Sequence, residues 1–289
     1  MGNETILYYV TQETIKNVIR RHFWQKQELP FFMVEQDNLK IYVVLVPMQQ
    51  KRWHKQGKNC LKIEPGTKGQ LLWKPEKLLR LMQDAQERIG QYEQEMKPDD
   101  FIQEHIVLQP DIAAILHWEK EEIPAINLFL SSKILSLRKQ DFDSVVLLLR
   151  NDVFPELQMR YFAEMMQPFF SRINHLSILY DVDNEEQDRW QEAITEYTDA
   201  FYYEYGLMVQ VLGRKGKNGK RTLFLDYGYE RELPLRMMRP GDVYLDVAAS
   251  GEKETLLKRK CAEVSYLSPL KYLDTTVKSG YDKLVHLCK

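Results

Sequence analysis

Cysteine is scarce in this chain, and its scarcity limits the class of protein. The 289 residues contain three cysteines, Cys60, Cys261 and Cys288. An odd number at such wide spacing fits neither a disulfide framework nor a zinc site. A reducing cytoplasm is therefore the expected compartment.

Long apolar runs and a large net charge are also missing. No run approaches the roughly 18 apolar residues needed to span a membrane. Residues 1–10 lack the basic start of a secretory signal. The net charge of −2 at pH 7 is too close to zero for a general binder of nucleic acids or membrane surfaces. We therefore expect no membrane association, and the charge disfavours nucleic acid as a partner.

The linear signatures of common enzymes do not occur in the chain. It contains no Gly-x-Ser-x-Gly, Walker A, Cys-x-x-Cys or Gly-x-Gly-x-x-Gly motif, and no His-x-x-x-His pair. These absences weaken the case for an enzyme without excluding one, because a site assembled in space needs no linear signature. Catalytic residues, cofactor and metal therefore stay unassigned.

Short apolar runs alternate with helix-period segments over residues 143–289, and this alternation predicts the fold class. The order favours an α/β fold whose C-terminal half is a mostly parallel, Rossmann-like sheet flanked by helices. The first three strands should be adjacent and parallel, with a helix between each pair. The predicted strands are 145–149, 176–180, 207–212, 223–225, 243–245 and 264–267.

The preceding residues predict a mixed α+β region packed against that sheet. The boundary is placed in the charged stretch 138–144, which gives an N-terminal region 1–140 and a C-terminal domain 141–289. Acidic residues in 90–104 are expected to be solvated. The elements predicted here are a strand at 5–10, a helix at 11–25, a hairpin of 31–34 and 39–46, a strand at 60–63, and helices that begin at Pro75, Pro110 and Pro124.

Residues 186–205 give the clearest helical pattern in the chain. The apolar members recur at helical spacing and are expected to pack on the sheet, while the other face is acidic. Gly206 is placed where a helix commonly ends. The members of the apolar stripe are Trp190, Ile194, Tyr197, Phe201 and Tyr205.

Acidic and small residues follow most of the predicted strands. Ligands of parallel sheets bind at the carboxyl ends of the strands, and carboxylate oxygens suit Mg²⁺. Aspartate is also a common turn and cap residue, and strand order decides whether these side chains converge. The candidate ligand-binding residues are Asp152, Asp181, Asp183, Asp226, Asp246, Ser250, Gly251 and Ser268.

Residues 243–251, Val-Tyr-Leu-Asp-Val-Ala-Ala-Ser-Gly, resemble the first motif of S-adenosylmethionine-dependent methyltransferases. That motif is a strand, an acidic residue, a loop of small residues and a helix start. The resemblance implies a loop whose small residues let a cofactor approach the backbone. The alternative is a capped helix, with Ser250 or Gly251 as its cap.

Residues 176–183 end in Asp181-Val182-Asp183 and resemble the first motif of haloacid-dehalogenase-type phosphotransferases. The resemblance implies that Asp181 and Asp183 are nucleophile and acid/base, with Mg²⁺ between them. The alternative is ordinary turn chemistry, since aspartate bonds nearby backbone N–H groups.

Residues 213–221 carry five cations and three glycines and no acid. One interpretation is a phosphate-contacting loop, with Arg214 and Lys215 on the phosphate. The interpretation that we favour is the mobile tip of a β-hairpin, with Asn218 and Gly219 as its turn.

These patterns lead to one expected function and two alternatives. We expect a cytoplasmic α/β protein that acts as a binding or regulatory module. The first alternative is a Mg²⁺-dependent enzyme that acts on a phosphate-bearing or nucleotide-like substrate at the strand carboxyl ends. The second is a nucleic-acid binder that uses 213–221 and 51–62.

Overall fold

A computed structural model of the chain confirms the α/β fold class. It contains a six-stranded parallel sheet flanked by helices and a separate four-stranded mixed sheet. The residues that it describes are 4–11, 28–36, 39–46, 48–49, 70–71, 74–96, 103–116, 124–137, 142–150, 154–173, 175–180, 187–212, 221–228, 233–249 and 252–287.

Strands and helices alternate through most of the described residues. The strands are β1 (Glu4–Thr11), β2 (Phe31–Gln36), β3 (Leu39–Val46), β4 (Met48–Gln49), β5 (Gln70–Leu71), β6 (Gln103–Leu108), β7 (Ser144–Leu149), β8 (His175–Tyr180), β9 (Val209–Leu212), β10 (Thr222–Asp226), β11 (Val243–Asp246) and β12 (Ser265–Leu267). The α-helices are α1 (Pro75–Met96), α2 (Pro110–Ile115), α3 (Ala125–Leu137), α4 (Pro155–Met166), α5 (Gln187–Tyr205), α6 (Glu252–Lys260) and α7 (Pro269–Leu287). A 3-10 helix, Gln167–Arg172, follows α4.

The chain divides into two compact units, each with its own sheet. The first unit is Met1–Glu119 with Asp274–Lys289, and the second is Lys120–Leu273. The chain therefore leaves the first unit, forms the second, and returns within α7. The predicted boundary is at residue 140, whereas this division assigns α3 to the second unit.

The first unit is built on the four-stranded sheet, in the order β2-β3-β1-β6. β1, β3 and β6 are parallel, and β2 pairs with β3 as the predicted antiparallel hairpin. Alternate residues such as Tyr9 and Val44 pack in one core with Met82 and Ile89 of α1. The end of α7 also belongs here, because Asp274 accepts a hydrogen bond from the buried Tyr8 hydroxyl at 2.8 Å.

Most elements of this unit match the sequence-based expectations, but the short strands β4 and β5 and the longer strand β6 were not predicted. The strand at 5–10 and the helices starting at Pro75 and Pro110 are confirmed, and the predicted helix at Pro124 is confirmed in the second unit. Residues 90–104 were expected to be solvated, and at the end of α1 Gln91, Tyr92, Gln94 and Glu95 are exposed while Glu93 is not. Glu93 is 1% exposed there. The helix at 11–25 and the strand at 60–63 lie outside the described residues.

Glu93 is buried because its charge is matched. Lys40 Nζ lies 2.5 Å from Glu93 Oε2. The Tyr42 hydroxyl donates to the other carboxylate oxygen. Both partners come from β3, more than fifty residues away in sequence. A local run of acidic residues could not reveal this pairing.

The second unit contains the six parallel strands, in the order β12-β11-β10-β7-β8-β9. The prediction that 145–149, 176–180 and 207–212 are adjacent and parallel is confirmed. The chain starts in the middle at β7, moves outward through β8 to β9, and then returns to place β10 on the other side of β7. The strand order therefore reverses between β7 and β10.

This order shows that the hairpin predicted around 213–221 is wrong. β9 and β10 flank that segment, and two strands, β7 and β8, separate them in the sheet. The reason lies in β10, where Leu223, Phe224 and Leu225 are all 0% exposed. β10 is buried on both faces and lies between β7 and β11, as interior strands of parallel sheets do. Arg214 and Lys215 lie outside the described residues.

Helices cover the second sheet, and α5 packs as predicted. Trp190, Ile194 and Phe201 are buried in the core with the apolar side of α4. Gly206, at φ 66°, ends α5 in the left-handed conformation that glycine tolerates. The opposite face of the sheet carries a second core that includes Leu257 of α6. Within the described residues, no helix has the length and apolarity to cross a membrane.

Candidate functional site

A row of charged side chains lies at the carboxyl edge of the second sheet. Asp226 ends β10, Asp246 ends β11, and the strand register places these two residues side by side. Asp226 is also aligned with Leu148 of β7, and Arg150 follows two residues later on the same face. The three side chains therefore belong to neighbouring strands at the same edge of the sheet.

Of the candidate ligand-binding residues, the structure describes three. Asp226 and Asp246 come together, and Ser268 caps the last helix, because its hydroxyl accepts a hydrogen bond from Lys271 N at 3.2 Å. The other candidates lie outside the described residues and stay predictions; these are Asp152, Asp181, Asp183, Ser250 and Gly251.

Asp226 is fully buried and surrounded by donors. Arg150 Nη2 lies 2.7 Å and Lys253 Nζ 3.1 Å from Asp226 Oδ2. The Tyr244 hydroxyl donates to the same oxygen, and Gly228 N donates to Oδ1 at 3.0 Å. Burial alone would raise the pKa of Asp226. The two cations and the hydrogen bonds outweigh burial, so that pKa lies below its ordinary value of 3.8.

Asp246 is also fully buried, but one cation contacts it where two contact Asp226. Lys253 Nζ lies 3.4 Å from Oδ1, and the Tyr266 hydroxyl donates to Oδ2 at 2.8 Å. Burial dominates here, the charge of Asp226 adds to it, and the pKa of Asp246 is raised above 3.8 although Lys253 opposes the shift.

The two carboxylates therefore respond to pH in opposite directions. The stabilisation from Asp226 is present above pH 3.8 and is lost as pH falls through its lowered pKa. The contribution of Asp246 is complete below pH 3.8 and is lost as pH rises through its raised pKa. A loss of stability as pH falls below 3.8 therefore reports on Asp226, and a loss as pH rises above 3.8 reports on Asp246.

Lys253 joins these groups from the first turn of α6. Its side chain is fully buried, and Nζ donates to the Gly228 carbonyl at 2.5 Å as well as contacting both aspartates. The ammonium therefore holds the end of β10, the end of β11 and the start of α6 together. A cation that links three segments fixes the backbone at this edge of the sheet.

The connection from β11 to α6 is held in a strained conformation. Ala249 has φ 55°, in the left-handed region that residues other than glycine rarely adopt. Its N–H donates to the Asp246 carbonyl at 3.2 Å. The preceding Val247 carbonyl accepts from Asn127 Nδ2 at 3.0 Å. Strain that persists under such constraint is common at functional sites.

The cluster does not present a metal site among the residues described. No group of three His, Cys, Asp or Glu side chains able to hold an ion occurs in the described part of the chain. The Lys253 ammonium also lies between Asp226 and Asp246, where it supplies the positive charge that a cation would otherwise provide. Asp226 therefore pairs with both Arg150 and Lys253, and Asp246 pairs with Lys253.

Sequence reasoning missed the partners of the aspartates. One signal was available: Tyr244 and Asp246 are two positions apart on β11, so their side chains lie on the same face of the sheet. Tyr266 on the neighbouring strand stacks beside Tyr244, with ring centroids 6.2 Å apart. Nothing in the sequence indicated that Lys253 points inward, since a charged residue in the first turn of a helix is usually exposed.

The comparisons with known proteins do not assign the chain to a family. Models of protein families, curated proteins and solved structures were all compared with the chain, and none matches it. The resemblances of residues 243–251 and 176–183 to enzyme motifs therefore stay resemblances of single motifs.

Proposed function

We propose that the chain is a binding or regulatory module whose second unit takes a phosphate-bearing, nucleotide-like ligand at the carboxyl edge of the parallel sheet. The observation that carries this proposal is the reversal of strand order between β7 and β10. Open parallel sheets bind ligands outside the carboxyl ends of the strands at such a reversal. Numbered from β7, the strands run 6-5-4-1-2-3, the order of Rossmann-like dinucleotide-binding sheets.

Charged groups at the reversal support a ligand that bears phosphate. Arg150 follows β7 and Asp226 ends β10, so their ion pair spans the two strands between which the order reverses. The Arg150 side chain is 11% exposed and that of Asp226 0%. Arginine is a common phosphate-binding residue, and in Arg150 the Nε and Nη2 groups already donate to Asp226.

The backbone of Arg150 is also fixed in place. The buried side chain of Gln158 accepts from Arg150 N at 2.9 Å and donates to Arg150 O at 2.7 Å. A guanidinium held at both its backbone and its side chain loses little further freedom on binding a ligand. This favours a preformed binding site over one assembled by the ligand.

The Mg²⁺-dependent enzyme is the alternative that we rank second. It relies on aspartates that follow strands, and two of these, Asp226 and Asp246, are already balanced by Lys253. Its remaining candidates are Asp152, Asp181 and Asp183. No contact among the described residues favours this alternative over binding alone.

A thermal-shift screen tests the proposed function. The full chain is heated with nucleoside mono-, di- and triphosphates, dinucleotides, S-adenosylmethionine and inorganic phosphate, each with and without Mg²⁺. A ligand at a hundred times its Kd stabilises by about 2.7 kcal/mol, which shifts the melting temperature of a unit of this size by roughly 5–10 °C. Dependence of that shift on Mg²⁺, lost in Asp181→Asn, would favour the enzyme instead.

Hydrogen exchange then locates the ligand that the screen identifies. We expect protection of amides at 226–228 and 247–249, at the carboxyl edge, and no change at 239–242, where β11 begins. If no phosphate-bearing compound stabilises the chain, or if protection appears only away from 226–228 and 247–249, the proposal is wrong.

A further inference from the structure

Exposed cations lie at the opposite edge of the second sheet, where β10, β11 and β12 begin. Arg221 directly precedes β10, and Arg239 lies in the turn before β11. The last turn of α6 leads back to the start of β12. We define the amino-edge patch as the exposed residues Arg221, Arg236, Arg239, Arg259 and Lys260.

Asp242 links the starts of β10, β11 and β12, the strands beside which these cations lie. The buried Asp242 carboxylate accepts from Thr222 N at 3.0 Å and from Arg239 N at 2.7 Å. Its carbonyl accepts from Ser265 N at 2.9 Å, and Gly241 N donates to the Glu263 carbonyl at 3.1 Å. The backbone next to Arg221, at Arg239 and at the start of β12 is therefore joined directly.

The patch has little acidic compensation. Among the described residues, no acidic side chain forms an ion pair with any of the five patch cations, whereas neighbouring Lys258 pairs with Glu254 at 2.9 Å. Asp242 is buried and bonded to backbone N–H groups. The partly exposed Asp143 contacts the patch, because its carboxylate accepts from Arg221 N at 3.4 Å, and Glu263 is the exposed acid nearest in sequence.

Helix electrostatics explain only part of the patch. Arg259 and Lys260 lie in the last turn of α6, where cations complement the helix dipole. Arg221, Arg236 and Arg239 lie outside any helix. Their concentration at one edge points to an anionic partner.

We propose that the amino-edge patch binds the phosphate backbone of double-stranded nucleic acid without reading its sequence. Four of its five members are arginines, whose planar fork fits phosphate oxygens. No large apolar or aromatic side chain is exposed among the described residues of 221–263. Binders of single strands stack bases on aromatic rings, so the patch does not fit a single strand. An amphipathic helix that inserts into a membrane needs exposed apolar side chains, which the patch also lacks.

The small net charge of the chain does not contradict this proposal. Phosphate contacts depend on the local density of cations, because screening limits the reach of distant charges to about 8–10 Å. The net charge of −2 averages this edge with acidic surfaces such as the exposed side of α5.

The test measures affinity of the full chain for short DNA and RNA duplexes over a range of salt concentrations. We expect two unrelated DNA sequences to bind alike, with a log–log salt slope of about −4 to −5. The variant R221Q/R239Q/R259Q/K260Q should reduce the size of that slope by about 3 to 4 and lower affinity at low salt at least tenfold. Comparing the DNA and RNA arms tells which duplex binds more tightly.

Two control variants keep the test specific. K74Q/K77Q/R80Q/R160Q removes the same charge from exposed positions elsewhere and should retain the slope. R221K/R239K/R259K keeps the cations and should also retain it. All variants alter exposed side chains and should melt within about 2 °C of the parent, which excludes misfolding as the cause.

Several results would overturn the inference. These are no duplex binding at low salt, an equal loss in the K74Q/K77Q/R80Q/R160Q control, tighter binding of a single strand than of a duplex, or equal binding of anionic phospholipid vesicles through the same residues. A ligand found at the carboxyl edge leaves this test unaffected, because the two surfaces use different residues.

Discussion

Replacing Lys253 with methionine should lower the unfolding free energy of the second unit by about 3–5 kcal/mol at neutral pH. The side chain is 0% exposed, and its ammonium contacts Asp226 and Asp246 and donates to the Gly228 carbonyl. Methionine fills a similar volume, so the loss reflects charge and hydrogen bonding more than a cavity. Asp226 keeps Arg150 as a partner, which leaves Asp246 as the less compensated charge.

The loss should depend on pH, because Lys253 lowers the pKa of both Asp226 and Asp246. Removing the ammonium removes an influence that lowers the pKa of Asp246, so that pKa rises further above 3.8. A group with a raised pKa stabilises fully below its unfolded value and less as pH rises through the folded value. The penalty of the Lys253→Met variant should therefore be smaller near pH 4 than at pH 7, relative to the parent.

Urea unfolding followed by hydrogen exchange of the β10 and β11 amides measures the effect in the second unit itself. The matched control is Lys258→Met, the same substitution on the same helix, where the side chain is 69% exposed. An exposed pair contributes about 0–1 kcal/mol, so the control should remain near the parent. Adding Asp246→Asn to Lys253→Met should restore about 1–3 kcal/mol, because the unpaired charge is then removed. The reasoning fails if Lys253→Met and Lys258→Met lose the same amount.

Substitutions at three positions test the backbone conformation and the packing through their effect on stability. Ala249→Val should destabilise by about 2–3 kcal/mol, because a β-branched residue fits poorly at φ 55°, and Ala249→Gly should stay within about 1 kcal/mol of the parent in urea titrations. Gly206→Ala should cost about 1 kcal/mol from backbone strain alone, since nothing lies within 4 Å of the added Cβ. Gly280→Ala should destabilise the first unit by about 1–3 kcal/mol, because its Cβ would come within 2.4 Å of Val34. Val34→Ala should relieve that loss in the double variant, and an additive loss would exclude the clash.

The sequence revealed elements whose signals are local. The helix at 186–205 was predictable because its apolar residues repeat at helical spacing and glycine follows its end, as Gly206 confirms. The parallel order of the first three strands of the second sheet was predictable because helical segments separate them. The hairpin around 213–221 failed because a turn signal describes neighbouring residues and cannot reveal the partner of the next strand.

Only the aspartates of the candidate site could be predicted, because local sequence patterns do not show which distant residues become neighbours. Asp226 and Asp246 were recognised because each follows an apolar run, and chain order implied that both lie at one edge of the sheet. Arg150 and Lys253 escaped notice because a lone cation in sequence gives no sign of burial. Their positions depend on which strands become neighbours.

The sequence by itself determined the α/β class, the direction of the second sheet and the edge at which acidic residues collect, because periodicity and turn chemistry act over a few residues. Tertiary structure alone decided that β10 lies beside β7, that Lys253 is buried between two aspartates, and that Asp242 links the starts of β10, β11 and β12. Each of these depends on contacts between residues distant in sequence. Such contacts are selected by the burial of whole strands and the pairing of buried charges, which no local pattern records.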